Sequence, residues 1–147
     1  MTNLQAELGS AQTVKAPNII QERRRLAQRY DEAFAKLAWL RTPVHRSGYY
    51  HCFQSYSCLF QPEIINPDSI SRINESRNAW MDKLQKVGLS TRPATHPVHM
   101  LTFYREKYDL SSQDFLNAYA TNDYRISLPL FNGMTVEEQN YVIESTV

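Results

Sequence analysis

The chain has 147 residues, 42% of them hydrophobic and 12% aromatic, which is enough for one domain with its own core and too apolar for a disordered segment. Its 16 Lys and Arg against 15 Asp and Glu leave a net charge of +1, so no long-range field draws it to nucleic acid or to an anionic membrane. No apolar run approaches the roughly 20 residues that cross a bilayer, and the opening MTNLQAELGS lacks the basic start and apolar stretch of a secretion signal, so the expected location is cytoplasmic.

In chain order, Leu4, Leu8 and Ala11 mark one face of a first helix that Pro17 is expected to end. Leu26, Tyr30, Ala33, Phe34 and Leu37 then mark a long second helix. Arg23, Arg24, Arg25 and Arg29 crowd this helix, but Glu22, Asp31 and Glu32 interrupt the charge, so they read as a solvated face or a subunit contact. Pro43 and Gly48 mark a connection in which His45 is expected to be exposed, and residues 51–60, rich in Tyr, Phe and Ser, read as a strand. That strand carries Cys52 and Cys58. Six extended residues separate their α-carbons by about 20 Å, beyond disulfide reach, so both are expected as reduced, inward-facing thiols.

The segment QPEIINPDS breaks the chain again, and Trp80, Leu84 and Val87 share a face of a helix that stops at Gly88. A short strand, helical pieces on either side of residues 109–112, and a strand RISLPLF follow. In that strand Ile126, Leu128 and Leu130 share a face, and Pro129 points to an edge position. Thr135 and Glu138 have the spacing of a capping box, opening a last helix with Val136 and Ile143 inward. Helices in runs over a few strands predict an α+β fold with a small antiparallel sheet.

Little of the familiar chemistry is visible. The four glycines are isolated, so no phosphate-cradling loop exists, and Glu137 and Glu138 diverge by about 100° around their helix axis. No G-x-S-x-G elbow is present, and His96 and His99 flank Pro97 without a visible third metal ligand. What residues 91–100, TRPATHPVHM, do offer is Arg92, able to grip a phosphate or carboxylate bidentately, beside two imidazoles. On residue types alone this stretch is either an anion-binding rim or a proline-stiffened connection.

Three segments, MTNLQAELGSAQ, TRPATHPVHM and ISLPLFNGMTVEEQNYVI, together resemble the carboxyl-terminal portion of the DegT/StrS family of pyridoxal-phosphate-dependent sugar aminotransferases. The most specific is the last, with Ser127-Leu128-Pro129-Leu130, then Met134-Thr135 and Glu138-Gln139; in the middle one, Ala94-Thr95 stand where many members carry His-Tyr. The resemblance implies linking helices over residues 1–40 and the small C-terminal domain of a fold-type-I enzyme over residues 41–147. It implies that Thr91, Arg92, His96 and His99 face the cofactor cleft and help to hold a nucleotide-linked sugar. The family's large domain, with the lysine that holds pyridoxal phosphate (PLP), precedes the matching segments, and Lys15, Lys36, Lys83, Lys86 and Lys107 match no such motif. Met1 then reads as an internal methionine of a longer enzyme. The expected partners are the missing large domain or a second subunit, and no cofactor is expected to be bound covalently by this chain. Two functions stay open, a fragment of a catalytic protein and a free-standing binding or assembly module of the same fold.

Overall fold

A capping box starts the chain's first helix, α1 (Asn3–Phe34): the Thr2 hydroxyl accepts from the Gln5 amide, and the Gln5 side chain accepts from the Thr2 amide. The computed structural model describes residues 2–60 and 66–147 and runs α1 straight through Pro17, where two helices were expected. Pro17 removes the bond to the Thr13 carbonyl, which lies on an exposed turn open to solvent. Beyond it, burial of Leu26, Ala27, Tyr30 and Phe34 holds the helix in place and offsets the proline's cost of about 3 kcal/mol.

Three strands, β1 (Leu40–Arg41), β2 (Tyr56–Phe60) and β3 (Arg125–Leu128), form an antiparallel sheet in the order β1-β2-β3. The period of two sends Leu40, Tyr56, Cys58, Phe60, Ile126 and Leu128 into the core, where Tyr56 meets Tyr30 at 4.9 Å between ring centres. β2 is shorter than the strand expected over residues 51–60. Phe53 takes a left-handed backbone (φ 48°), its amide donates to the His51 ring and its carbonyl accepts from Arg23, so none of its polar groups joins a ladder. Cys52 therefore lies exposed outside the sheet, contrary to the inward position expected, while Cys58 is buried and burial pushes its thiol up to about 12.

Helix α2 (Ile70–Lys86) ends on Gly88 as expected; residues 61–65 of the preceding break lie outside the described residues. Two short helices, α3 (Thr102–Tyr108) and α4 (Leu116–Tyr124), flank the predicted interruption, and Asp109 caps α3 in the left-handed region. α2 packs on α4 through a second apolar cluster built on Phe60, Ile70, Ile73, Ala120 and Tyr124. Buried Arg77 donates from α2 to the carbonyls of Asn122 and Arg125.

The last helix, α5 (Val136–Thr146), begins at the predicted capping box of Thr135 and Glu138. Its inner face meets expectation at Ile143, half-buried against the core, but not at Val136, which is exposed, and Gln139, Val142 and Thr146 are the buried residues. Met134 fills the core just ahead of the helix, so the chain turns Val136 outward. Three arginines of α1 also differ from the solvated face expected, whereas Arg25 is exposed. Arg23 donates to the carbonyls of Phe53 (2.9 Å) and Gln54 (3.0 Å) and to Asn132, Arg24 to the His51 carbonyl, and Arg29 to Gln139 and Asn140. They fasten α1 to the loops and to α5.

Candidate functional site

The proline-rich segment grows out of the end of α2. The Gly88 amide donates to the Gln85 carbonyl and the Leu89 amide to the Leu84 carbonyl, the paired bonds of a helix stop that needs a left-handed residue, here Gly88 at φ 81°. Leu89 is buried beside Leu84, which aims the following residues at the sheet. Arg92 then pairs with Ser127 of β3 through both backbone bonds, Ser127 amide to Arg92 carbonyl at 2.7 Å and the reverse at 3.4 Å. This single bridge stands where a short strand was expected.

The predicted site residues therefore differ in setting. Thr91 is half-buried next to the bridge, and Arg92 is fixed by its backbone while its side chain is exposed. His96 is exposed in the loop. His99 is buried at 7% exposure on a short turn, Val98–Met100, with its ring 5.2 Å from that of Phe115 and its Nε2 without a hydrogen-bond partner among the described residues. Close to it, the Ser111 amide (2.6 Å) and hydroxyl (2.8 Å) donate to Asp114 and hold its carboxyl below the usual range, with the His99 ring adding a smaller pull. Among the described residues no group of three His, Cys, Asp or Glu could hold a metal ion.

Residue types alone did not single out two further polar clusters. Between α1 and the segment before β2, Asp31 accepts from the Tyr56 hydroxyl at 2.6 Å and pairs with the His45 ring at 3.0 Å, so His45 is tethered although exposed. A cleft of about 380 Å³ there is lined by Arg24, Arg25, Gln28, Asp31, His45 and Tyr49. The second cluster is the outer face of the sheet, with Ser57, Arg125 and Ser127. The alternation that turns Ile126 and Leu128 inward already turns Arg125 and Ser127 outward, and that was the available signal.

A model of the DegT/DnrJ/EryC1/StrS aminotransferase family matches residues 1–147. The chain belongs to that family. It is 31% identical over 138 residues to an uncharacterized protein of Methanocaldococcus jannaschii, MJ1066, a match covering 94% of this chain and 34% of the relative. Among solved structures it is similar to Spr1654 of Streptococcus pneumoniae, assigned as a sugar aminotransferase and solved in apo, PMP and PLP forms, with a TM-score of 0.82, 26% identity and coverage of 99% of this chain and 34% of that one. The fold is shared with Helicobacter pylori PseC, an aminotransferase involved in the biosynthesis of pseudoaminic acid (TM-score 0.80, 20% identity, 96% of this chain and 35% of that one). This chain thus spans about a third of the length of the relatives it matches.

The specific motif of the family resemblance acts structurally here. Ser127 carries the bridge to Arg92, Leu128 and Met134 fill the core, and the Pro129 carbonyl accepts from the Tyr30 hydroxyl at 2.8 Å. Gln139, fully buried, donates to the Leu26 carbonyl at 2.7 Å.

Proposed function

We propose that this chain is the C-terminal part of a PLP-dependent aminotransferase acting in the cytoplasm on a nucleotide-linked sugar, with residues 1–40 linking to a large domain and residues 41–147 forming the small domain. The observation that carries this reading is a superposition that uses 99% of this chain but only 34% of Spr1654, a protein with a solved PLP form. Thr91, Arg92, His96 and His99 contribute the substrate-facing loop, in which Arg92 meets anionic oxygens and the buried His99 ring fixes the turn. Leu4 and Leu8, 81% and 63% exposed, together with exposed Ala11 offer the large domain or a second subunit an apolar stripe along α1.

PLP needs one lysine held at a fixed point and a cradle for its phosphate. Lys15, Lys36, Lys83, Lys86 and Lys107 are all exposed, and Lys107 stands over the rings of Phe103 and Tyr108. None fits that role, so the large domain would hold the cofactor and this chain alone would not turn over substrate.

The test fuses the large domain of Spr1654 ahead of Met1 and assays transfer of an amino group from glutamate to a nucleotide-linked keto sugar. The fusion is expected to be active and the 147-residue chain inactive. In the fusion, Arg92→Ala should weaken sugar binding by about 1.5–3 kcal/mol while leaving PLP affinity unchanged, and His99→Ala should act in the same direction. Turnover by the isolated chain, or an Arg92→Ala fusion with unchanged KM, would refute the reading.

A further inference from the structure

The face of the sheet opposite the core carries arginines. The register sets Ser57 against Ser127 and Leu59 against both Arg125 and Arg41, and the isolated bridge sets Arg92 against Ser127. Paired residues of antiparallel strands project to the same side, so Arg92 and Arg125 share this face with Ser57 and Ser127. Arg125 lies diagonally from Arg92, about 7 Å away by the spacing of such neighbours, close enough for two long side chains to meet one ligand.

One end of the face is hollow. A cleft of about 270 Å³ is lined by Pro43, His51, Cys52, Gln54, Ser55, Ser57 and Arg125, with no carboxylate among the described residues that line it. The Ser57 hydroxyl is buried and has no hydrogen-bond partner among the described residues. A buried polar group left unpaired is costly, and an acceptor oxygen placed in the cleft would remove that cost. Arg125 provides the matching charge and a fork suited to two oxygens of one phosphoryl group.

We propose that this cleft is an anion subsite in which Arg125 and Ser57 take one phosphoryl group, and that Arg92, across Ser127, takes a second, so that the sheet face fits a diphosphate. The ligand's identity as the diphosphate of a nucleotide-linked sugar rests on the function proposed above. The subsite itself does not, because every group in it belongs to this chain.

Cys52 reports on the cleft. It lines the cleft and is exposed, whereas Cys58 is buried, so a maleimide added to the native 147-residue chain should label Cys52 first. At constant ionic strength, inorganic pyrophosphate should slow that labelling saturably. Arg125→Gln should raise the half-saturating concentration about tenfold or more, the scale of a lost charge-assisted pair, and Ser57→Ala should raise it by less. Arg92→Gln should weaken pyrophosphate but leave inorganic phosphate unchanged. Melting curves separate these effects from misfolding, and Ser57→Ala keeps the test alive should Arg125→Gln be unstable. Labelling that pyrophosphate leaves unchanged, slowing matched by chloride, or equal half-saturation in wild type and both cleft variants would overturn the proposal. An inactive fusion with intact Arg125-dependent protection would instead refute the aminotransferase reading and leave the subsite standing.

Discussion

The two halves of α1 carry similar apolar spacing and have opposite environments. Before Pro17, Leu4, Leu8 and Val14 are exposed; after it, Leu26, Ala27, Tyr30 and Phe34 are buried at 1% exposure or less. Periodicity specifies which side of a helix is apolar, not whether anything covers it. The first half is held by its Thr2 cap and by continuity with the second, whereas the second is held by the sheet, by α5 and by three arginines. Stability should therefore be concentrated after Pro17.

The largest expected effect breaks this comparison at its packed end. Phe34→Ala removes a ring stacked 5.5 Å from Tyr30 and should cost about 3–5 kcal/mol, whereas Leu8→Ala should stay within about 0.5 kcal/mol. Urea melts of the two variants check it, and equal losses would show that the halves are not energetically distinct. A smaller effect comes from the clamp. Arg23→Ala strips the carbonyls of Phe53, Gln54 and Leu130 and the Asn132 side chain of their charged donor and should cost about 2–3 kcal/mol, against near neutrality for the exposed Arg25→Ala.

The same contrast explains what the sequence made legible. Capping boxes, glycine stops and strand alternation are local signals, so Thr135, Gly88, Ile126 and Leu128 were placed correctly from spacing. Local signals mislead where long-range contacts decide. Pro17 stays helical because residues nine and more positions later are packed, and Cys52 leaves the strand because Arg23, thirty residues before Phe53, captures that residue's carbonyl. Val136 turns outward because Met134 already occupies the core. In the candidate site, residue types drew notice to Arg92, His96 and His99, but not to Ser57 and Arg125, whose relation to Arg92 exists only in the sheet register.

The smallest effect lies at the boundary between the halves and is read through pH. Glu22 accepts from the Gly133 amide and from the Asn132 side chain, both at 2.9 Å, and Asn132 in turn donates to the Ile19 carbonyl. The Gly133 amide, then Asn132, hold the Glu22 carboxyl below its ordinary 4.5, with Arg25 and Arg23 adding lesser pulls. A carboxyl whose folded pKa is depressed stabilises the fold above its unfolded pKa and loses that contribution as pH falls through the folded value. Glu22→Gln should therefore be less stable than wild type near neutrality, and the gap should close on acidification below 4.5 as the wild-type carboxylate takes up its proton. Thermal melts of both proteins across that range supply the comparison. A gap that stays constant or widens in acid would mean that the Glu22 charge does not help to join the free half of α1 to the packed one.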